Sequence, residues 1–516
     1  MSYYLGLDSS TQSLSALAID LESRRVVLSE SLNFGQELPE YGSPQGFLPS
    51  SDAALRHANP LMWVAALERL LERVEASGFD FSRVRAVSGA GQQHGSVYLG
   101  RGIEAPSLDE PLVEQVEPLL SRKTSPIWMD SSTSVECGEI AAAAGGDERV
   151  VAVTGSRVIE RFTGPQIRKF FKQDPAAYAA THEIHLVSSF MASLLAGRSA
   201  GIDLGDGAGM NLLELATGTY SRALLDATAP GLSKKLAPPV ACPTRVGTVA
   251  GYFIEKFGFD KEVPVFAFTG DNPSSLIGMG ASEPGTMVVS LGTSDTVFAA
   301  MREPFTDPRG YGHVFGNPAG GFMSLICFTN GSLAREAVAK DAGLDWRGFE
   351  RAILEETVPG NEGNFMLPYF TPETTPRLLH PEARRFGSAD FVQNERPELA
   401  ARAIVEAQAL SMKRHSDWIG VKPERILVTG GAAQNRGILQ VLADVFQAKI
   451  QTLSVGNSSA LGGALRAAQA ATGKPWSELF AAFAAPDDVV LKPNPDAARA
   501  YEKLEPRFVA ELSRLA

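Results

Sequence analysis

Two stretches far apart in the chain share one plan, and this repeat limits the possible folds most. In residues 3–20, the apolar run YYLGLD meets a polar turn (SSTQS) and resumes as LSALAID. In residues 286–301, VVSL meets GTSDT and returns as VFAAM. Apolar runs joined by a polar turn are typical of β-hairpins. Two hairpins about 280 residues apart predict duplicated halves, although similarity this loose also arises by chance.

The length agrees with two halves, because 516 residues exceed the ~250–300 residues at which single cores stop growing. A net charge of -12 argues against nucleic acid or an anionic membrane as a partner. No run approaches the ~20 apolar residues that cross a bilayer, and the start resembles no signal peptide. The 3 cysteines are far apart, without metal-ligand spacing. Reduced thiols and these absences predict a cytoplasmic protein.

Residues 263–272, VPVFAFTGDN, read as a short buried strand that ends in two polar residues, Asp271 and Asn272. Open α/β sheets bind ligands beyond the carboxyl ends of their strands. Asp271 is therefore a candidate catalytic carboxylate. The alternative is a turn capped by an Asx side chain, since Asp and Asn both favour turns.

Helical periodicity is clearest in residues 61–77, where Trp63, Leu67, Leu70, Leu71 and Val74 form a stripe. Strands are expected at residues 84–88, 96–99 and 425–429. Further helices are expected at residues 184–196, 401–416, 437–448 and 461–471. The last of these is rich in small residues that let neighbours approach closely. Ordered loops are predicted at residues 33–60, 201–211 and 359–390, where glycine or proline is frequent.

The two hairpin tips are candidate phosphate sites, because backbone N–H groups and hydroxyls in tight turns can surround an anion. One set is Ser9, Ser10, Thr11 and Gln12, and the other is Gly292, Thr293 and Ser294. Asp8, beside the first tip, is a candidate magnesium ligand acting through water, since Mg²⁺ keeps much of its hydration shell. Two ordinary β-turns are the alternative.

Two glycine-containing turns add to this set. GGAAQN, residues 430–435, joins a predicted strand to a helix and would let a flat ligand lie against the main chain. It is neither a Walker motif nor G-x-G-x-x-G, and a structural strand–helix turn is equally compatible. GQQHG, residues 91–95, places His94 beside two amides, which suits a polyol, although a lone histidine is more often structural.

Taken together and in this order, these motifs resemble the FGGY carbohydrate kinases of the actin/hexokinase/Hsp70 superfamily. Within the family they are most similar to the animal-type xylulose kinase group. The resemblance extends over most of residues 60–465 and rests on PIWMDSST, TGSRVIERFTG, GDGAGMNLL, AFTGDNPSSL, VSLGTSDT and TGGAAQNRGILQVLADVF. Many bacterial members instead have Gly-Thr in the first hairpin and Met-His-Gly in the later turn. A tryptophan usual in the family's first signature is replaced near Phe171.

The resemblance implies an α/β fold of two actin-like (ribonuclease H-like) domains, each with a mixed sheet flanked by helices, and a ligand cleft between them. Residues 1–281 would form the domain that binds sugar and carries the catalytic aspartate. Residues 282–516 would form the domain that binds ATP. A homodimer is compatible with the resemblance, which does not fix the oligomeric state.

The implied reaction is ATP- and Mg²⁺-dependent phosphorylation of D-xylulose to D-xylulose 5-phosphate, with Asp271 as general base. Kinases for another ketose or for a polyol, such as ribulose or glycerol, and weakly active sugar-binding switches remain alternatives. The implied sugar ligands are His94, Arg161, Asp271, Asn272, Gln93 and Asp130. Arg161 has an ion pair with Glu160 as its alternative. Besides both tips, the implied ATP ligands are Gly430, Gly431, Ala432, Asn435 and Trp346, the last of which is equally compatible with a core aromatic.

Overall fold

The computed structural model describes residues 2–453 and 456–515 of the chain. Met1, Ser454, Val455 and Ala516, which the predicted domain ranges include, lie outside the described residues. Up to residue 281 the strands are β1 (Tyr3–Ser9), β2 (Ser13–Asp20), β3 (Arg25–Asn33), β4 (His57–Ala58), β5 (Val84–Gly91), β6 (Ser96–Leu99), β7 (Ser125–Pro126), β8 (Glu183–Leu186), β9 (Ile202–Asp203), β10 (Leu213–Glu214), β11 (Thr219–Tyr220), β12 (Pro239–Val240), β13 (Arg245–Thr248), β14 (Pro264–Phe266) and β15 (Thr269–Gly270).

The helices of the same part are α1 (Phe34–Glu37), α2 (Pro60–Ala76), α3 (Leu112–Val116), α4 (Ser134–Ala144), α5 (Asp147–Thr154), α6 (Thr163–Gln173), α7 (Pro175–Ala180), α8 (Val187–Ala196), α9 (Leu204–Gly207), α10 (Arg222–Thr228), α11 (Gly251–Phe257) and α12 (Asp271–Gly278). Short 3₁₀ turns across the chain are Pro39–Tyr41, Phe81–Arg83, Glu117–Leu119, Ala208–Met210, Leu232–Lys234, Asn361–Gly363, Asp417–Ile419 and Gly431–Gln434.

Beyond residue 281 the strands are β16 (Thr286–Leu291), β17 (Asp295–Met301), β18 (His313–Gly316), β19 (Phe322–Phe328), β20 (Phe365–Pro368), β21 (Ala383–Phe386), β22 (Arg425–Thr429), β23 (Lys449–Thr452) and β24 (Val490–Leu491). The helices are α13 (Ser332–Asp341), α14 (Trp346–Arg351), α15 (Ala389–Val392), α16 (Pro397–Ser416), α17 (Arg436–Phe446), α18 (Ser458–Thr472), α19 (Trp476–Phe483) and α20 (Pro495–Leu512), with a π-helical turn at Ala352–Glu356.

The two large sheets follow one plan, which confirms the predicted duplication. The first runs β13-β14-β5-β1-β2-β3, with β15 added to β5, and the second runs β18-β19-β17-β16-β22-β23-β24. In each, a central strand pairs antiparallel with its hairpin partner and parallel with a later strand: β1 with β2 and β5, and β16 with β17 and β22. Both sheets are therefore mixed, and each hairpin tip lies where parallel strands end.

Helices cover both faces of the central part of the first sheet, where β1, β2 and β5 are almost entirely buried. Alternate side chains of a strand point to opposite faces. Leu5 and Leu7 pack in one apolar cluster with α2 and α8, while Tyr4 packs in another with α18. Around the second sheet, one large cluster joins the strands to α13, α16, α17 and α20.

Helix α18 follows the second sheet's central strands in sequence but packs against β1, β5 and α12 of the first half. Its glycines permit this. A Cβ at Gly462 would lie 1.9 Å from the Ser274 carbonyl oxygen, and one at Gly463 would lie 3.0 Å from Gly89 Cα. The expected close approach is confirmed. The division of the chain into two domains after residue 281 stays a prediction. Helix α18, which comes later in the sequence than this boundary, covers the first sheet.

Several local predictions need correction. Residues 201–211 are not a loop, because they form β9, α9 and a 3₁₀ turn. The predicted helix at 184–196 is preceded by β8 and begins only at Val187. The predicted loop at 359–390 contains the hairpin β20–β21. The helix at 61–77 is confirmed as α2, and its predicted stripe is buried.

In the part of the chain that the structure describes, we find no helix that combines the length and the apolarity needed to span a membrane.

Candidate active site

Asp271 lies at the point where a buried strand passes into a helix, as predicted. Thr269 and Gly270 form β15, which pairs in parallel with the end of β5, and Asp271 is the first residue of α12. Gly270 lies opposite Gly91, so the carboxylate is brought beside the GQQHG turn. A Cβ at position 270 would lie 2.5 Å from Gln93 Cγ, which explains why glycine occupies this position.

A hydrogen-bond network fixes the Asp271 carboxylate. The Asn272 backbone N–H and side-chain amide both donate to Asp271 Oδ1, at 2.9 and 3.0 Å. The same Asn272 amide also donates to Gln93 Oε1 at 2.8 Å. Three predicted site residues from two strand ends thus form one unit. Burial, and then the nearby carboxyl of Asp8, raise the pKa of Asp271 to about 7. A carboxyl with this pKa is suited to general base catalysis near neutral pH.

Asp8 is a buried carboxyl at the end of β1, next to the first hairpin tip. The Ser10 hydroxyl donates to its Oδ2 at 2.6 Å, whereas Oδ1 has no hydrogen-bond partner within the described residues. Burial raises the pKa of this carboxyl. No cluster of three or more His, Cys, Asp or Glu side chains suited to a metal occurs among the described residues. One buried, incompletely satisfied carboxylate fits Mg²⁺ that is held mostly by water and phosphate, and does not fit an all-protein cage.

His94 adopts a backbone φ of 69°, which is uncommon outside glycine, and this places its ring in the interior. The ring stacks on Phe162 at 4.2 Å and its Nδ1 lies 2.9 Å from the Gly209 carbonyl oxygen. Burial, and then the charge of Arg161, lower the pKa of His94 to about 3. The ring is therefore neutral, and Nδ1–H donates to Gly209. Its Nε2 is left as an acceptor.

Arg161 does not pair with Glu160, so that alternative is wrong. Its Nη2 lies 3.1 Å from Nε2 of His313, a residue of the second half, while Glu160 Oε1 accepts from Ser134 at 3.2 Å. The guanidinium carbon lies 5.7 Å from the centre of the Phe162 ring. Arg161 and His94 therefore share one aromatic neighbour, and the predicted sugar ligands converge around it.

Asp130 is fully buried and bonded to the polypeptide. Its Oδ1 accepts from the amide and hydroxyl of Ser132 and, at 2.7 Å, from Gln166 Nε2. Its Oδ2 accepts from the Arg56 backbone N–H at 2.8 Å. This set of bonds fastens the PIWMDSST segment in place. The direct sugar role of Asp130 stays a prediction.

Most of the predicted nucleotide residues of the second half line one cavity of about 840 Å³. They are Gly292, Thr293, Trp346, Gly431, Ala432 and Asn435. Trp346 is 47% exposed and meets Phe349 edge to face, so it is not a core aromatic. A Cβ at Gly431 would contact nothing within 4 Å, which leaves an open shelf in the β22–α17 turn. Sequence reasoning missed further lining residues such as Glu336, Arg347 and Glu350, whose types carry no motif.

The remaining predicted ATP ligands lie at the two tips or, in the case of Gly430, in the turn after β22, and they do not line this cavity. In the first tip, the Ser10 N–H donates to the Ser13 carbonyl at 2.9 Å and closes the turn. The half-buried Thr11 accepts at Oγ1 from the indole N–H of Trp128, at 2.8 Å. Gln12, Ser294 and Gly430 are the others. Gly430 has a φ of 94°, and its Cβ would lie 2.3 Å from the Leu291 carbonyl oxygen, so it shapes the turn beneath the cavity.

The second tip is braced from behind by a buried ion pair. Both carboxylate oxygens of Asp295, the residue after Ser294, accept from the Arg335 guanidinium, at 2.7 and 3.0 Å. Arg335 also donates to Gln408 on α16, at 2.8 Å. Bidentate pairs of this kind fix geometry as well as charge. Beyond the position of Asp295 in the tip, no local sequence pattern indicates this pair.

Two protein-family models match the chain, and together they include the residues of this candidate active site. Residues 3–278 match the N-terminal domain, and residues 287–471 the C-terminal domain, of the FGGY family of carbohydrate kinases. The chain belongs to this family. The chain is similar to the xylulose kinase of Rattus norvegicus, at 42% identity over 99% of this chain and 96% of that protein. Xylulose kinase 2 of Arabidopsis thaliana is 41% identical over 90% of this chain and 87% of that protein.

Solved structures agree on the fold of this FGGY family member. The xylulose kinase of Rhodospirillum rubrum has a TM-score of 0.84 at 21% identity, and covers 99% of both chains. Plasmodium falciparum glycerol kinase with ADP has a TM-score of 0.78 at 15% identity, and covers 99% of this chain and 98% of that one. At these identities the likeness concerns the fold alone. The predicted α/β fold of two actin-like domains with mixed sheets is confirmed.

Proposed function

We propose that this carbohydrate kinase transfers the γ-phosphoryl group of ATP to D-xylulose and releases D-xylulose 5-phosphate and ADP. The observation that carries the proposal is the half-buried Asp271, whose pKa is raised to about 7 and which Asn272 holds beside the GQQHG turn. The substrate is taken from the relatives, because the rat and mouse xylulose kinases are 42% and 41% identical over 99% of this chain.

Asp271 is the general base of the reaction. Its carboxylate takes the proton of the sugar's primary hydroxyl as that oxygen forms a bond to the γ-phosphorus. The bond between the γ-phosphorus and the bridging oxygen breaks, and its electrons leave with ADP. Phosphoryl transfer depends on alignment and charge stabilisation more than on covalent help from the protein. The two hydrogen bonds from Asn272 to Asp271 Oδ1 support such alignment.

The sugar hydroxyls are bound around the Asp271 unit. Neutral His94 offers Nε2 as an acceptor, and Arg161 offers guanidinium N–H donors. Asn272 and Gln93 contribute amide groups, and Asp130 acts from the neighbouring segment. Donors and acceptors of this kind suit any small polyol. The choice of D-xylulose over ribulose or glycerol therefore rests on the relatives and not on this set.

ATP is bound in the 840 Å³ cavity, with its base between Trp346 and the open shelf at Gly431. Asn435 caps the N-terminus of α17, where the helix dipole also favours negative charge. The β- and γ-phosphates lie between the two hairpin tips, Ser10–Gln12 and Gly292–Ser294, across a cleft between the halves. Asp8 is the residue that would hold Mg²⁺, and the ion would supply neutralisation of the phosphate charge.

The domain division is part of the same proposal: residues 1–281 bind sugar and supply the base, and residues 282–516 bind ATP. We assign the protein to the cytoplasm, with three thiols free of disulfides, Cys137, Cys242 and Cys327. A homodimer is the proposed assembly, and its sedimentation velocity tests this directly.

The test is a coupled assay of ADP release with ATP and Mg²⁺ across pentuloses, hexuloses and polyols. We expect the highest kcat/KM for D-xylulose. A clearly higher kcat/KM for ribulose, glycerol or another acceptor would overturn the substrate assignment. If calorimetry detects both sugar and ATP binding while no acceptor is phosphorylated, the chain is a switch and the kinase proposal fails.

A further inference from the structure

We propose that His313, from the second half of the chain, is a positioning residue for sugar binding: it holds the Arg161 guanidinium in place and so makes the sugar site depend on contact between the halves. The inference rests on the proposed function, because Arg161 is taken there as a sugar ligand. Nothing local in the sequence marks His313, which follows YG in an otherwise apolar strand.

The geometry fixes the role of each ring nitrogen. His313 is 2% exposed, its Nε2 lies 3.1 Å from Arg161 Nη2, and its Nδ1 lies 3.2 Å from Ser156 Oγ. A guanidinium only donates, so Nε2 must be the unprotonated nitrogen. The proton is then on Nδ1, where the Ser156 hydroxyl accepts it. Arg161 therefore determines the tautomer, and the Ser156 hydroxyl supports it by accepting from Nδ1–H.

The charge state of His313 agrees with this arrangement. Burial, then the charge of Arg161 and the neighbouring ring of His94, hold the pKa of His313 well below its usual value. A protonated ring would lose its acceptor and would place a second positive charge against Arg161. The neutral ring instead accepts a charge-assisted hydrogen bond, the stronger kind. Within residues 2–453 and 456–515, the Arg161 guanidinium makes no other hydrogen bond.

The strand that carries His313 is docked on the first half. His313 begins β18, the edge strand of the second sheet, and the next residue, Val314, donates its N–H to the Gly155 carbonyl at 3.1 Å. At the other end of the strand, a Cβ on Gly316 would lie 2.9 Å from the carbonyl carbon of Leu204. Two backbone approaches thus fix where the ring of His313 lies relative to Arg161.

The Phe162 ring connects this pair to the GQQHG turn. Its centre lies 4.2 Å from the His94 ring and 5.4 Å from the His313 ring. His94 and Arg161 are both proposed sugar ligands, and both contact Phe162. Movement of β18 away from the first half would therefore remove both the hydrogen-bond acceptor of Arg161 and the His313 ring that packs against Phe162. Sugar affinity is coupled in this way to the apposition of the halves.

The test begins with His313→Leu, which removes the acceptor, and His313→Gln, which places an amide oxygen near the position of Nε2. We expect His313→Leu to raise the sugar Kd and KM about ten- to hundredfold, the range for losing a hydrogen bond to a charged group. The KM for ATP should change less than twofold. His313→Gln should recover most of the loss. Ser156→Ala, which removes the acceptor of His313 Nδ1–H, should also raise the sugar Kd, but by less than His313→Leu does.

The matched control is His415→Gln. His415 is also a buried histidine of the second half, 3% exposed, but it bonds to Ser411 within α16. We expect a lower melting temperature and an unchanged sugar Kd. A double-mutant cycle adds the decisive measurement: in an Arg161→Met background, His313→Leu should change the sugar Kd by less than twofold. An equal effect in both backgrounds, or an unchanged sugar Kd in folded His313→Leu, overturns the proposal.

Failure of the His313 proposal is distinguishable from failure of the proposed function. The unaltered protein is first assayed against the acceptor panel, and the best acceptor then serves as the calorimetric ligand. A different best acceptor would refute the assignment of D-xylulose as the substrate, but the His313 variants could still be tested with that acceptor. If His313→Leu does not fold, the proposal is tested by comparing Ser156→Ala with His415→Gln. Equal sugar Kd values for these two variants would contradict the role assigned to the Ser156–His313 hydrogen bond.

Discussion

Replacement of Asp271 by asparagine separates a general base from a residue that only shapes a turn. Asparagine keeps the size of the side chain and an oxygen that can accept from Asn272, but it cannot take a proton. Loss of a general base lowers a rate typically ~10²–10⁴-fold, which corresponds to about 3–5 kcal/mol of transition-state stabilisation. Sugar affinity should change less than about tenfold, or 1.4 kcal/mol, because His94 and Arg161 are unaltered.

The pKa of Asp271 adds a second quantity to this test. The base acts only when it is deprotonated, and its pKa is raised to about 7. For the unaltered enzyme, kcat/KM should therefore rise about tenfold per pH unit below pH 7 and level off above pH 8. The residual activity of Asp271→Asn should lack this step.

The same raised pKa predicts the effect on stability. Between the ordinary value of 3.8 and about 7, the folded state holds a proton that the unfolded state has lost. Because only the unfolded state is ionised at Asp271 in this range, the free energy of unfolding falls as the pH rises. The decrease is at most about 4 kcal/mol, at 1.36 kcal/mol per pH unit. Urea denaturation at pH 5 and pH 8 should show Asp271→Asn becoming more stable relative to the unaltered protein at the higher pH.

Turnover is measured by coupled ADP release and sugar binding by calorimetry. Near-normal kcat for Asp271→Asn would refute the reasoning and leave Asp271 as a capped turn. Complete loss of sugar binding would instead make Asp271 a positioning group, with no support for its role as base.

Other perturbations have separate expected outcomes. His94→Ala should raise the sugar KM at least tenfold with little change in the KM for ATP, as steady-state kinetics with each substrate varied will show. Gly431→Trp should fill the open shelf and weaken ATP binding at least tenfold in calorimetry, with the sugar Kd unchanged. Gly462→Val should lower the melting temperature, since its Cβ would lie 1.9 Å from the Ser274 carbonyl oxygen and overpacking costs typically ~1–3 kcal/mol. Removal of Mg²⁺ by chelation should abolish transfer, and added Mg²⁺ should restore it.

The features that the sequence predicted well are local. The hairpins, the stripe of α2 and the position of Asp271 all depend on residues close in the chain, whose apolar periodicity and turn chemistry are visible directly. The turns that approach Asp271 were also recognisable, because small residues there follow apolar strands. Their convergence on one site was implied by the family resemblance, and the parallel pairing of β15 with β5 brings the GQQHG turn beside Asp271.

The failures have a common physical cause, which is contact between distant segments. Residues 201–211 are rich in glycine and were predicted as a loop, but their glycines serve close packing: a Cβ at Gly205 would lie 2.6 Å from Thr269 Oγ1, and one at Gly209 would lie 2.7 Å from His94 Nδ1. His313 was missed because its partner Arg161 is 152 residues away. A single histidine in an edge strand carries no periodicity that reports such a partner.

The duplicated hairpins also differ in how each treats its carboxylate, and the difference suits their proposed roles. Asp295, at the second tip, is neutralised by the bidentate contact with Arg335, so an anionic triphosphate can approach that tip without facing an unpaired buried charge. Asp8, at the first tip, has only the Ser10 hydroxyl and an oxygen without a partner among the described residues. Its charge adds to the effect of burial in raising the pKa of Asp271, and it also attracts a cation. One sheet plan, used twice, thus provides a neutral edge for the nucleotide and an acidic edge for the base and its metal.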